Sequence, residues 1–220
     1  MDSTLIQQEV IDEVMKFAGV EAEARAIKES AGRGEIDYLT SLKSRVALLK
    51  GQCAEELFRQ VKSSLTFTPG AELLCATLKK LGYKMAVLSG GCLPVAQVVQ
   101  RRLGLDYAFA NTLEVDERTG LLTGLTCGPA VTPLRKRALL ATIASVEGCK
   151  VQQTIAVGDG THDIPMLSAA GLGVAFCAKS RSRAAAAAEL HLSQSDLNAV
   201  LFLMGLSEHA SEWRGGANTS

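Results

Sequence analysis

The sequence changes character at Pro69-Gly70, and this change limits the choice of folds more than any other property of the chain. Downstream, apolar runs typical of buried strands alternate with helix-forming segments; the strands are predicted at 84–88, 154–157, 172–177 and 190–192. Such alternation favours a parallel α/β sheet, since parallel neighbours need a crossover connection. Strands at 107–115 and 121–126 flank a polar Gly-containing turn, which predicts an antiparallel hairpin.

Upstream of this point, from residue 5 to about 65, the apolar spacing is that of helices only. Four short amphipathic helices are predicted there, at about 10–18, 21–31, 37–50 and 54–63, and they suggest a small helical bundle. Helices are also predicted downstream, at 71–81, 93–103, 133–147, 164–170, 184–188 and 197–206. The predicted domains are therefore a core at 1–4 and 68–206, a helical cap at 5–67, and a disordered tail at 207–220.

Composition excludes several classes of partner. The chain carries 23 Lys and Arg against 23 Asp and Glu, so a nucleic-acid or polybasic membrane role has no electrostatic support. No apolar run is long enough to span a bilayer, and the first ten residues do not resemble a secretory signal. The six cysteines never form a C-x-x-C pair, which predicts reduced thiols in a cytoplasmic protein.

Polar residues follow the predicted strands where ligands of parallel sheets bind. Asp2 lies at the start of the chain, Ser89-Gly90-Gly91 and Asp159 each follow a strand, and Lys136 opens a helix between them. Carboxylates that hold Mg²⁺, with a hydroxyl, backbone N–H groups and a lysine, suit phosphoryl transfer. Each signal is weak alone: Ser-Gly-Gly is a common turn, and Lys136 sits in the charged run Arg135-Lys136-Arg137.

The order of these residues resembles the four motifs of the haloacid dehalogenase superfamily of phosphatases. The matching segments are Met1-Asp2-Ser3-Thr4-Leu5-Ile6, Leu88-Ser89-Gly90-Gly91, Lys136 and Val157-Gly158-Asp159-Gly160-Thr161-His162-Asp163. Segments 6–13 and 45–50 resemble the members of that superfamily that hydrolyse phosphoserine. The resemblance implies a Rossmann-like parallel-sheet core with a small helical cap inserted near the N-terminus. It also implies a cytoplasmic, Mg²⁺-dependent enzyme that converts O-phospho-L-serine, a small phosphomonoester, to serine and phosphate in serine biosynthesis, and it allows a homodimer.

The resemblance assigns roles at the phosphoryl end of the site. In the first motif, Asp-x-Asp-x-Thr, the first Asp forms an aspartyl-phosphate and the second is a general acid/base; Asp2 matches the second. The phosphoryl group would be bound by Ser89, Gly90 and Gly91, and its charge would be neutralised by Lys136. Mg²⁺ would be ligated by Asp159 and the Asp2 carbonyl, with Asp163 completing the metal shell or orienting Lys136.

The resemblance also assigns the substrate's head group. Glu9 would hold the amino group and Arg45 the carboxylate, a pairing that fits because arginine binds carboxylates in a bidentate manner. His162 would donate a hydrogen bond to the substrate where the family often has Asn. Two other departures are Cys92, in place of a usual Phe, and Gly32, in place of a cap Met. Without the motifs, Glu9 and Arg45 would be interpreted as solvated helix charges.

The start of the chain departs most from the pattern. Because Asp2 matches the second motif Asp and Met1 the intervening position, the nucleophile would stand immediately before Met1. The strand that delivers it would be central in this fold, so its loss would leave buried N–H and C=O groups unpaired at about 1–3 kcal/mol each. We therefore expect an N-terminally truncated, inactive form of the enzyme. A non-catalytic phosphoamino-acid binder and another phosphomonoesterase of the superfamily remain alternatives.

Overall fold

A computed structural model of the chain describes residues 1–178, 188 and 190–206. The predicted helix at 184–188 and the predicted tail at 207–220 depend on residues outside this part. Two short 3₁₀ turns occur, at Val151–Gln153 and Thr161–Asp163. The helices and strands in chain order are α1 (Val10–Phe17), α2 (Glu21–Gly32), α3 (Tyr38–Ala47), α4 (Ala54–Ser63), α5 (Ala71–Lys80), β1 (Ala86–Cys92), α6 (Leu93–Leu103), β2 (Tyr107–Val115), β3 (Leu122–Cys127), α7 (Pro133–Val146), β4 (Ile155–Gly158), α8 (Ile164–Leu167), β5 (Leu172–Phe176), β6 (Leu190–Leu192) and α9 (Ala199–Leu203).

The strands form two three-stranded sheets. In one, β1 pairs with β2 in parallel and β2 pairs with β3 as the predicted antiparallel hairpin. In the other, β4, β5 and β6 are all parallel. The α/β class with a parallel-sheet core is confirmed. Within the described residues, neither β1 nor β4 pairs along its other edge.

An apolar cavity of about 520 Å³ lies between the unpaired edges of β1 and β4. Its walls include residues 84–88 on one side and 154–157 on the other, and side chains of α5, α7 and α9 complete it. Met1 lines this cavity at one point. The strand pattern predicts a single parallel sheet. The structure instead has two sheets, and the cavity separates the unpaired edge of β1 from that of β4.

The four N-terminal helices pack on one another, as their amphipathic pattern predicts. The buried face of α1 packs against α4 and α2, and α2 packs against α3. The buried residues of α1 are Val10, Ile11, Val14 and Met15. Ile6 and Phe67 form an antiparallel bridge. The two ends of the segment that contains the four helices therefore lie side by side. Division of the chain into core, cap and tail stays a prediction.

Local capping sets two helices that carry predicted site residues. The Asp37 carboxylate accepts a hydrogen bond from the Thr40 N–H at 2.7 Å and begins α3, which holds Arg45. Thr132 accepts one from the Arg135 N–H at 3.1 Å, and Pro133 takes the first turn of α7, which holds Lys136.

The strand predicted at 84–88 extends further than expected, because β1 continues through Ser89-Gly90-Gly91 to Cys92. The register against β2 shifts between Leu88 and Cys92, which bends the strand at this point. The buried Asn111 side chain donates to the Gly90 carbonyl at 2.7 Å and accepts from the Val131 N–H at 2.8 Å. These bonds satisfy the backbone where the ladder is interrupted and so keep the glycine segment extended.

In the part of the chain that the structure describes, none of the helices has the length and apolar character required to cross a membrane.

Candidate active site

A polar cavity of about 460 Å³ opens between the N-terminal helices and the carboxyl ends of β1 and β4. Nine of the ten predicted site residues line it: Asp2, Glu9, Arg45, Ser89, Gly90, Lys136, Asp159, His162 and Asp163. Gly91 does not line it; this residue is buried, and its N–H donates to Ser89 Oγ at 2.9 Å. Residues as distant in sequence as Asp2 and Asp163 are therefore brought together at one place.

Asp2 and Ser89 form a hydrogen-bonded pair at the base of this cavity. Ser89 Oγ donates to Asp2 Oδ1 at 3.2 Å, and the other carboxylate oxygen accepts from the Val10 N–H at 3.0 Å, at the start of α1. Burial raises the pKa of the Asp2 carboxyl above its ordinary value. A carboxyl group with a raised pKa is suited to give and take a proton near neutral pH.

Lys136 and Asp163 form a buried ion pair beside it. Lys136 Nζ donates to Asp163 Oδ1 at 2.7 Å, and each residue is less than a tenth exposed. Burial acts to raise the pKa of the Asp163 carboxyl, but the charge and hydrogen bond of Lys136 hold that pKa below its ordinary value. The Gly160 N–H donates to Asp163 Oδ2 at 3.3 Å. Asp163 is thus placed to orient the lysine, the second of the two roles expected for it.

Asp159 has the weakest protein partner of the site carboxylates, a 3.4 Å hydrogen bond from Thr4 Oγ1. Burial, followed by the charges of Asp163 and Glu9, raises the pKa of Asp159 to about 6. Within the described residues, no three His, Cys, Asp or Glu side chains are grouped closely enough to hold a metal. Mg²⁺ needs fewer, because it is held by one or two carboxylates together with waters and substrate phosphate. The residues present therefore fit Mg²⁺ through Asp159 and not through a cage of carboxylates.

Four charged side chains meet at the other end of the cavity, among α1, α2 and α3. Arg45 Nη1 lies 3.8 Å from Asp12 Oδ1, and its side chain is only 12% exposed. Lys28 forms a hydrogen-bonded ion pair with Asp12, and its Nζ lies 3.9 Å from Glu9 Oε2. Glu9 Oε1 accepts from Ser3 Oγ at 2.7 Å. The sequence predicted Glu9 and Arg45 but missed two residues. Asp12 lies in the matching segment 6–13 but received no role, and Lys28 lies outside the matching segments.

Tyr38 and Asn111 were also missed. The Tyr38 hydroxyl donates to the Val131 carbonyl at 3.3 Å and lies over Gly90, where a Cβ would be 2.6 Å from it. The Tyr38 and His162 rings are in contact, with centroids 5.4 Å apart. Burial, then the charge of Lys136, lowers the pKa of His162. A buried Asn within a strand, or an aromatic residue just after an N-cap, is the only signal that the sequence offered for these positions.

The Cys92 thiol is buried and is expected to be unreactive. Burial, and secondarily the charge of Asp2, raises the pKa of Cys92 to about 12, so about one thiol in 10⁴ is ionised at pH 8. Iodoacetamide at pH 8 should label the exposed Cys53 and Cys127 in the native protein, and Cys92 only after unfolding, by peptide mass spectrometry. Native labelling of Cys92 at the rate of Cys127 would contradict this expectation.

Comparison with known proteins gives a consistent result. Residues 1–171 match the family model described as haloacid dehalogenase-like hydrolase. The phosphoserine phosphatase of Streptomyces coelicolor is 44% identical over 212 residues, which is 96% of this chain and 50% of that protein, so the chain spans about half the length of that relative.

Two solved structures are similar over most of their length. A substrate-bound phosphoserine phosphatase complex has 40% identity and a TM-score of 0.83, with 92% of this chain and 94% of that one covered. A phospho-aspartyl intermediate analogue of phosphoserine phosphatase has the same identity and TM-score, with 92% and 95% covered. The match over residues 1–171, together with the shared fold, means that the chain belongs to the haloacid dehalogenase-like hydrolase family.

Proposed function

We propose that this chain belongs to a Mg²⁺-dependent phosphoserine phosphatase, which hydrolyses O-phospho-L-serine to serine and phosphate. One observation carries the proposal: a single cavity is lined both by Ser89 and Lys136 and by Glu9 and Arg45. The first pair suits a phosphoryl group, and the second suits an ammonium and a carboxylate. The identity with phosphoserine phosphatases supports the same substrate.

The proposed chemistry needs an aspartate nucleophile at the position immediately before Met1. Its carboxylate oxygen bonds to phosphorus while the bond from phosphorus to the serine oxygen breaks, and Asp2 gives that oxygen a proton. In the second half, Asp2 takes a proton from the attacking water, and phosphate leaves the aspartate. The Ser89 hydroxyl donates to a phosphoryl oxygen, and Lys136 offsets the negative charge that develops there. Asp163 keeps the lysine in place.

Asp159, with the Asp2 carbonyl, would hold the metal. When bound, Mg²⁺ would withdraw charge from the phosphoryl oxygens and bring them near the nucleophile. Asp159 is suited to this because its carboxylate is partly buried and, among the described residues, the hydrogen bond that it accepts from another side chain is the long one from Thr4. The Lys136–Asp163 pair lies beside this position and leaves Asp159 free to face a cation.

The apolar cavity between β1 and β4 would accept the strand that carries the aspartate. Met1 lines both this cavity and the polar one, so a residue joined to its nitrogen would lie where the two meet. A strand there could pair with both free edges and join the two sheets into one. The proposed activity is tested by Mg²⁺-dependent phosphate release from phosphoserine after such a strand, ending in aspartate, is added; no turnover would overturn it.

Arg45→Ala tests the substrate class. The variant should bind phosphoserine on the order of 10²-fold more weakly, because a nearly buried arginine is removed from the substrate carboxylate. The binding of phosphocholine, which has no carboxylate, should not be weakened. Calorimetric titration of both ligands measures this, with the exposed Arg59→Ala on α4 as the matched control. An equal loss for both ligands would argue against a carboxylate-binding role and for a different phosphomonoester.

A further inference from the structure

The head-group end of the cavity contains a second cation, Lys28, for which the proposed reaction gives no role. It is supplied by α2, whereas Arg45 comes from α3 and the two carboxylates, Glu9 and Asp12, from the start of α1 and from within it. The Lys28 ammonium donates to the Asp12 carboxylate and lies 3.9 Å from Glu9 Oε2. All four side chains line the cavity.

The formal charges of this group cancel. Glu9 and Asp12 contribute two negative charges, and Lys28 and Arg45 two positive ones. A neutral group suits a head group that itself carries one ammonium and one carboxylate. Without Lys28 the group would carry one net negative charge, which would attract ammonium groups and repel carboxylates.

Two contacts of Lys28 both shift the preference of the site toward ligands that have a carboxylate. By pairing with Asp12, it reduces the hold of that carboxylate on Arg45, whose Nη1 is 3.8 Å from Asp12 Oδ1. Arg45 is then available to a ligand carboxylate. By approaching Glu9, Lys28 competes with a ligand ammonium for that carboxylate. The first contact favours ligands with a carboxylate, and the second disfavours ligands that have only an ammonium.

We propose that Lys28 is a specificity-determining residue that sets the charge preference of this site. It keeps the site suited to phosphate esters with a carboxylate and disfavours the phosphate esters of simple amino alcohols. The inference rests on the proposed function, because it assumes that the ligand's phosphoryl group lies at Ser89 and Lys136. Lys28 and Glu9 are about half exposed, so the effect is one of charge more than of fixed geometry.

The test is Lys28→Met, which removes the charge and keeps the length of the side chain. Two ligands that each lack one half of the phosphoserine head group are titrated by calorimetry in Mg²⁺ buffer: phosphoethanolamine and 3-phosphooxypropanoate. Phosphoethanolamine should bind the variant roughly threefold to tenfold more tightly. 3-Phosphooxypropanoate should bind it more weakly by a similar factor. Both changes should shrink at high salt, because the charges are partly exposed.

Two controls separate charge from structure. Lys28→Arg keeps the positive charge and should retain the original ligand preference. Lys43→Met removes an α3 lysine that does not line the cavity, and it should change the affinity for neither ligand. Changes of the same sign for both ligands, or no change, would overturn the inference and leave the proposed function intact. If neither ligand nor phosphoserine binds the chain, either with or without the added strand, the proposed function fails and this inference fails with it.

Discussion

The 220-residue chain by itself is expected to release no phosphate from phosphoserine, whereas the chain extended by an apolar strand ending in aspartate should gain Mg²⁺-dependent activity of at least about 10³-fold. The extension would be about five apolar residues followed by Asp, a length that matches the strand segments lining the apolar cavity. The added carboxylate supplies the nucleophile next to Asp2, Ser89 and Lys136. Phosphate release with and without Mg²⁺ measures the gain.

A matched extension that ends in Asn separates folding from chemistry. It should fill the same cavity and raise the free energy of unfolding as much as the Asp-ended form, because both pair with β1 and β4 and bury the same apolar surface. It should nevertheless remain inactive. Equal activity of the Asn-ended and Asp-ended proteins, or full activity of the unextended chain after controls for contamination, would contradict the assignment of the nucleophile.

Lys136→Met in the Asp-extended protein should lower kcat by about 10²–10³-fold, since the phosphoryl oxygens lose a positive charge in a closed site. It should also lower the free energy of unfolding by about 3–5 kcal/mol, because the buried Asp163 carboxylate loses the lysine at 2.7 Å. Phosphate release and denaturant unfolding measure the two effects.

The double variant Lys136→Met, Asp163→Asn distinguishes the two causes of lost activity. It removes both buried charges and should recover most of the lost stability, because no unpaired ion remains. Its activity should stay low, because the lysine charge is still absent. Recovery of activity together with stability would show that Lys136 acts only by holding Asp163.

Most helices and strands could be predicted from local pattern alone. Apolar periodicity indicated the four N-terminal helices and the strands that became β4 and β5. The prediction failed where a distant residue determines the backbone. Ser89-Gly90-Gly91 has the composition of a turn, yet Asn111 holds it extended from 20 or more residues away.

The candidate site could be predicted where residues follow one another at motif spacing. Asp2, Ser89, Lys136 and Asp159 each stand in such a context, and all four line the polar cavity. Lys28, Tyr38 and Asn111 could not be predicted, because each is a single residue without a recognisable neighbour pattern. Asp12 lies in the matching segment 6–13, but its pairing with Lys28 depends on the packing of α1 against α2. Their contacts join elements that are separate in sequence, as in the tilted contact between the Tyr38 and His162 rings.

The amino-acid sequence by itself determined the α/β class and the hairpin, and it singled out the residues proposed to bind the phosphoryl group, because periodicity and motif order are local properties of a chain. Only the tertiary structure decided the charge balance around Lys28, the pairing of Lys136 with Asp163, and the apolar cavity between β1 and β4. These depend on which side chains and strand edges are brought within a few ångströms by packing. Electrostatic and hydrogen-bond energies act over just those distances.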